Sequence, residues 1–204
     1  MRNFEPADYG PVLAPLVDRD RCRPLDGGQP TARGHGALHS ANVATAFAHA
    51  RPVELDMARC CLAGVWLLHD FLDQSHAISQ GVETSAGSLW HGVMHRREGD
   101  FSNAKYWFRR VGPHAVLEAL GPRVVELGDA HRQPELAGRI APDGRFDPLS
   151  MVDACQAALR SGGVGEAFCR RVQQAEWELL FHHCYQTAIG VRRVDEPSVA
   201  PAHG

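Results

Sequence analysis

The sequence predicts an all-α protein, a compact helical bundle or array with an irregular N-terminal leader. Three observations support this fold class. Apolar residues recur at helical spacing, Gly and Pro separate the periodic segments, and no stretch alternates polar and apolar residues as a half-buried strand does. Of the 204 residues, 44% are hydrophobic, which suffices for the core of one domain.

The chain divides into three parts. Residues 1–33, rich in Pro, Gly, Asp and Arg, form the leader, with room for one short helix; residues 34–190 form a single helical domain, and residues 191–204 a disordered tail. Apolar periodicity and its breaks predict helices, in order, over 38–50, 53–80, 85–98, 101–111, 114–128, 151–160 and 166–189. Residues 131–148 are predicted to be a loop, and Asp100 is predicted to cap the helix that begins at Phe101.

Charge and composition exclude several classes of protein. The net charge of −3 argues against a general nucleic-acid binder, which carries a basic field. No run of 18 apolar residues and no signal-peptide pattern occur, so we expect a cytoplasmic protein without a membrane partner. The six cysteines show no C-x-x-C spacing. The twelve histidines are the unusual feature.

The longest predicted helix carries polar side chains on its apolar stripe. His69, Asp73 and His76 are spaced i, i+4 and i+7, so they should point inward together, with Asp70 at the flank. Burial of such groups is costly unless they are paired or bound to a metal. The triplet therefore indicates a polar site inside the bundle, in which the three side chains are paired or bind a metal.

The next helix repeats this spacing at His91, His95 and Glu98. The short connection between the two helices favours an antiparallel hairpin. In that hairpin the two triplets lie at matching levels, with His76 opposite His91, Asp73 opposite His95, and His69 opposite Glu98.

Imidazole and carboxylate groups on facing helices are typical of metal sites in helical bundles. Mixed nitrogen and oxygen ligands suit iron, manganese, zinc or copper better than calcium or magnesium, and we expect iron, manganese or zinc. The predicted metal ligands are His69, Asp73, His76, His91, His95 and Glu98. The alternative is a buried hydrogen-bond network in which Asp73 or Glu98 orients the imidazoles.

A basic and aromatic run, HRREGDFSNAKYWFRRVG, follows at once and contains the only lysine of the chain. Arginine side chains bind carboxylates and phosphates bidentately, so the run predicts a pocket for a small anionic substrate. We assign catalytic roles to Asp70, Arg97, Lys105 and Tyr106, and substrate binding to Arg96, Asn103 and Arg109. The alternative is a helix with core aromatics and arginines that pair with acidic groups or solvent.

Two resemblances bear on this core. The segments HDFLDQSHAISQ, SLWHGVMHRREGDFSNAKYWFRRVGPH and EWELLFHHCY resemble a family of uncharacterised bacterial proteins over roughly residues 55–190, which implies a functional core but no particular activity. GALHSANVATAF and GVWLLHDFLD are similar to elements of the HD metal-dependent hydrolase and oxygenase superfamily. That similarity implies metal ligation by His69 and Asp70, with further ligands available at His91 or His95, His114, and Asp129 or Asp153.

The sequence thus predicts a metal-dependent enzyme, a hydrolase or oxygenase, that acts on a small anionic molecule. One alternative is a metal-free helical bundle that binds a small ligand. Another is a non-enzymatic scaffold that docks a partner through its basic and aromatic helix. The sequence leaves homo-oligomerisation open.

Overall fold

The structure, a computed structural model, describes residues 4–30 and 35–191. The described residues form eleven α-helices and two 3-10 turns, with no strand among them, which confirms the predicted fold class. The helices are α1 (Gly10–Val17), α2 (His35–Ser40), α3 (Val43–Ala46), α4 (Leu55–Leu68), α5 (Leu72–Ser79), α6 (Ser85–Glu98), α7 (Phe101–Arg109), α8 (Ala115–Ala130), α9 (Pro134–Ile140), α10 (Pro148–Ser161) and α11 (Gly163–Ala188). Residues 192–204, which include almost all of the predicted tail, lie outside the described residues.

Helices α4, α6 and α11 form the centre of the fold. Helix α4 is buried along most of its length and packs against α5, α6 and α11. The close approach of α4 and α6 depends on Gly64, because a Cβ atom there would lie 2.7 Å from the indole ring of Trp90. The Gly64 carbonyl also accepts a hydrogen bond of 2.9 Å from the Trp177 indole of α11. A single small residue therefore joins three helices.

The leader contributes to this core. Tyr9, Leu13 and Leu16 are buried in the same apolar cluster as α4 and α11. Residues 18–30 contain no helix, and Arg21 connects them to α11 through a 2.7 Å ion pair with Glu178. None of the helices in residues 4–30 and 35–191 combines the length and the apolar character that crossing a lipid bilayer requires.

The predicted helix over 53–80 is wrong, because the chain bends between α4 and α5. His69 ends α4, and Asp70 adopts a left-handed backbone conformation with φ of 65°. The Asp70 carboxylate accepts hydrogen bonds from Arg23 of the leader and Arg97 of α6. These two cations hold the bend from outside the segment, so helical periodicity within the segment does not reveal it.

Other boundaries follow local capping. The predicted helix over 38–50 is two short helices, since Asn42 and Thr45 form a reciprocal capping box that begins α3. The predicted loop over 131–148 contains α9, which begins with Pro134 at its first position. Helix α6 has the predicted boundaries, and the predicted cap at Asp100 is confirmed by a 3.0 Å bond from the Asn103 amide.

The capping histidine of α8 makes stability depend on pH. The Nδ1 atom of His114 accepts a 3.2 Å hydrogen bond from the Val116 amide, and the ring lies 4.8 Å from the ring of His183. Burial, together with His183, lowers the pKa of His114 to about 4. The unfolded chain takes up this proton near pH 6.5 and the folded chain only near pH 4, so stability falls as the pH drops through this window.

We expect His114→Asn to remove part of that loss, because asparagine caps the helix but does not titrate. The effect is at most about 3 kcal/mol, since one pKa unit corresponds to about 1.4 kcal/mol. Urea unfolding of the wild type and the variant between pH 4 and 7 measures it, with His131→Asn as the exposed control. Identical pH dependence in all three proteins would contradict this assignment.

Candidate metal centre

Three histidines from α5 and α6 form a cluster in which one ring nitrogen of each lies within 4.8 Å of the others. The ring centres of His76 and His91 are 4.7 Å apart, those of His91 and His95 4.7 Å, and those of His76 and His95 5.2 Å. His91 and His95 are buried, whereas His76 is half-buried. The cluster therefore lies at the rim of the core rather than at its centre.

Local structure brings these three side chains together. His91 and His95 are one turn apart on α6, so they share a face. The helix begins at Thr84, whose hydroxyl oxygen accepts a 3.0 Å hydrogen bond from the Gly87 amide. The chain turns between α5 and α6 within five residues, and His76 faces α6 from the other side. The predicted meeting of His76 and His91 is confirmed.

The hydrogen bond to Glu98 fixes the tautomer of His95. Its Nδ1–H donates to the Glu98 carboxylate at 2.9 Å. The Asn103 side-chain amide nitrogen lies 3.0 Å from Nε2 and 3.5 Å from Nδ1, so it sits over the face of the ring and not in line with the Nε2 lone pair. A carboxylate behind an imidazole fixes the tautomer and raises the basicity of the opposite nitrogen. His95 thus presents Nε2 as a donor atom for a metal.

His91 stacks on the indole ring of Trp107, with ring centres 3.9 Å apart and planes inclined by 14°. Its Nδ1 atom is buried and has no hydrogen-bond partner among the described residues. Burial, followed by the nearby His95 and His76, lowers the pKa of His91 to about 4. The ring is therefore neutral at pH 7, the state in which imidazole binds metals.

The other three predicted metal ligands do not join this cluster. Asp73 is exposed rather than inward, because α5 begins anew after the bend and the i, i+4 relation to His69 is lost. His69 uses both ring nitrogens elsewhere, since Nε2–H donates to the Leu16 carbonyl at 2.8 Å and Nδ1 accepts from Arg19 at 2.5 Å. Glu98 remains next to His95 as its hydrogen-bond partner and does not face His69.

Two predicted catalytic residues hold the bend between α4 and α5. Arg97 donates to the Asp70 carboxylate and to the Leu67 carbonyl, each at 2.7 Å. Asp70 is 3% exposed and accepts a second guanidinium, that of Arg23. Both oxygens of Asp70 are thus used in ion pairs that position the leader and α6 against the bend.

Arg96 was predicted to bind substrate, but it is completely buried in a bidentate ion pair with Glu176 of α11. Burial lowers the pKa of the Arg96 guanidinium, and the carboxylate of Glu176 more than offsets this, so the pKa is raised. No substrate reaches this guanidinium in the folded protein. The pair instead joins α6 to α11.

The remaining predicted residues lie along α7. Asn103 contacts His95 as described above, while Lys105 forms a 2.5 Å ion pair with Asp153 of α10. Tyr106 is 51% exposed, and Arg109 is exposed as well. Of this group, Asn103 alone contacts the histidine cluster.

Of the residues implied by the HD resemblance, only His91 and His95 belong to the histidine cluster. His69 and Asp70 bind arginines, Asp153 pairs with Lys105, and Asp129 is exposed. Conversely, the stack of Trp107 on His91 was not predicted, because the two residues lie on different helices and no spacing rule connects them.

The sequence matches no protein-family model and no curated protein, and the fold matches no solved structure. The function is therefore inferred from the histidine cluster itself. Three imidazoles, one hydrogen-bonded to a carboxylate and one stacked on an indole, form a ligand set suited to zinc, copper, iron or nickel.

Proposed function

We propose that the protein is a metal-dependent enzyme with a zinc centre at His76, His91 and His95, acting on a small anionic substrate. The observation that carries this proposal is the approach of three ring nitrogens to within 4.8 Å of one another. Catalytic zinc sites typically use three protein ligands and leave a fourth position for water or substrate.

The surroundings of the cluster support an open fourth position. His76, Asn103 and Trp107 are each only partly buried, so one side of the cluster borders solvent. A zinc ion held by three imidazoles lowers the pKa of a bound water to about 7, which supplies a nucleophile at neutral pH.

The ligand set favours zinc-dependent hydrolysis over oxygenase chemistry. Non-haem iron oxygenases bind their metal with two histidines and one carboxylate. The carboxylate nearest this cluster, Glu98, accepts a hydrogen bond from Nδ1 of His95 and is half-exposed. Asp73, which was predicted to supply a carboxylate ligand, is exposed.

Zinc titration of untagged, chelator-treated protein tests the proposal. We expect one zinc per chain and a change in tryptophan fluorescence, because the Trp107 indole stacks on a ligand. Cobalt(II) substitution should give the intense visible bands of a tetrahedral site. Hydrolysis of a panel of small carboxylate- and phosphate-bearing esters should be lost with chelator and restored by zinc.

Failure of zinc, iron(II) and manganese(II) to bind above the level of the His76→Ala variant would overturn the proposal. It would favour the metal-free ligand-binding bundle or the docking scaffold. If the protein binds zinc but hydrolyses none of the tested esters, the metal centre stands and the proposed hydrolytic activity is wrong.

A further inference from the structure

One cation of the basic and aromatic run, Arg110, lies close to the histidine cluster and forms no ion pair with a carboxylate among the described residues. Arg110 follows α7, and its guanidinium carbon lies 5.3 Å from the ring centre of Trp107 and 5.7 Å from that of Tyr106. Its Nη1 atom donates a 3.4 Å hydrogen bond to the Tyr106 hydroxyl. Two aromatic rings therefore hold this side chain in place.

The other cations of the run that were predicted to bind an anion are mostly engaged. Arg96 pairs with Glu176, Arg97 with Asp70, and Lys105 with Asp153. Among the described residues, no carboxylate lies within ion-pair distance of Arg109 or Arg110. Of these two, only Arg110 contacts the indole that supports the cluster.

The same indole connects Arg110 to the proposed metal centre. Trp107 lies 3.9 Å from the His91 ring and 5.3 Å from the Arg110 guanidinium carbon. These two distances together set an upper limit on the separation between the Arg110 guanidinium carbon and the centre of the His91 ring. A small molecule that passes the edge of the indole can span that distance with several bonds.

We propose that Arg110 is the anion receptor of this site and that the substrate carries a carboxylate separated by a few bonds from the group that reacts at the metal. This inference rests on the proposed zinc centre. Contact with an aromatic face leaves in-plane N–H donors of a guanidinium available for hydrogen bonds. A planar fork matches a carboxylate bidentately, and a single guanidinium balances its single charge.

Binding of dicarboxylates to the zinc-loaded full chain tests this assignment. We expect glutarate to bind at least about tenfold more tightly than acetate, because its second carboxylate gains a charge-assisted hydrogen bond. Arg110→Gln should reduce glutarate affinity to the level of acetate and leave zinc affinity unchanged. The substrate-binding role predicted for Arg109 is withdrawn, because Arg110 and not Arg109 contacts Trp107. Arg109→Gln, which removes the same charge from an exposed neighbour, is therefore the matched control and should retain the preference.

The outcomes separate the two proposals. If the wild-type protein does not bind zinc, the proposed metal centre is wrong. Normal zinc binding with equal affinity for glutarate and acetate, or equal losses in Arg109→Gln and Arg110→Gln, would overturn the role of Arg110 alone. If inorganic phosphate binds more tightly than glutarate and its binding also depends on Arg110, the substrate group bound by Arg110 is a phosphate and the proposed carboxylate is wrong.

Discussion

Replacing His76 with alanine is expected to weaken zinc binding at least about 100-fold. Loss of a residue that only hydrogen-bonds to a metal ligand already reduces metal affinity about 10- to 100-fold, and loss of a ligand itself should cost at least as much. His76 is half-buried on α5, so its removal leaves no large cavity and the variant should fold. Calorimetric titration of the apo protein measures the change. The thermal stabilisation that saturating zinc gives the wild type should also disappear.

The neighbouring residues give a graded comparison. His95→Ala should match His76→Ala, whereas Glu98→Gln should cost only about tenfold, because it weakens the hydrogen bond to Nδ1 but leaves the ligand in place. His131→Ala, at an exposed histidine, is the control. Equal zinc affinity of His76→Ala and His131→Ala would show that the cluster is not the binding site.

Replacing Glu176 with alanine is expected to destabilise the fold by about 3–5 kcal/mol, because the Arg96 guanidinium would remain buried without its counter-charge. Both side chains are at most 1% exposed, and they join α6 to α11. Urea unfolding at pH 7 gives the free energy. The result would bear on function too, since α6 carries two of the three clustered histidines.

Two further variants separate the burial of charge from a simple loss of contact. Asp153→Ala, which breaks the exposed ion pair of Lys105, should cost no more than about 1 kcal/mol. The double variant Arg96→Met with Glu176→Leu should be close to neutral or stabilising, because it removes both charges together. A double variant as unstable as Glu176→Ala would show that packing, not the uncompensated charge, determines the loss.

Features that depend on neighbouring residues were predicted correctly, whereas features that depend on contacts between distant segments were not. Helix α6 and its histidine pair were predicted correctly, because a cap, a glycine stop and i, i+4 spacing act within a few residues. The pairing of His76 with His91 was also correct, since a short connection forces neighbouring helices together. The inward position of Asp73 was wrong, because the register was carried across residues 69–71, where the helix ends.

The sequence by itself determined the all-α class and the meeting of His76 with His91, since helical periodicity and a short connection are local properties of the chain. Only the tertiary structure decided which charges serve the site. Asp70 accepts arginines 47 residues before it and 27 residues after it, and Arg96 is buried by a glutamate 80 residues away. A charged side chain is stable inside a protein only where a distant segment supplies its partner, and helical spacing does not encode that meeting.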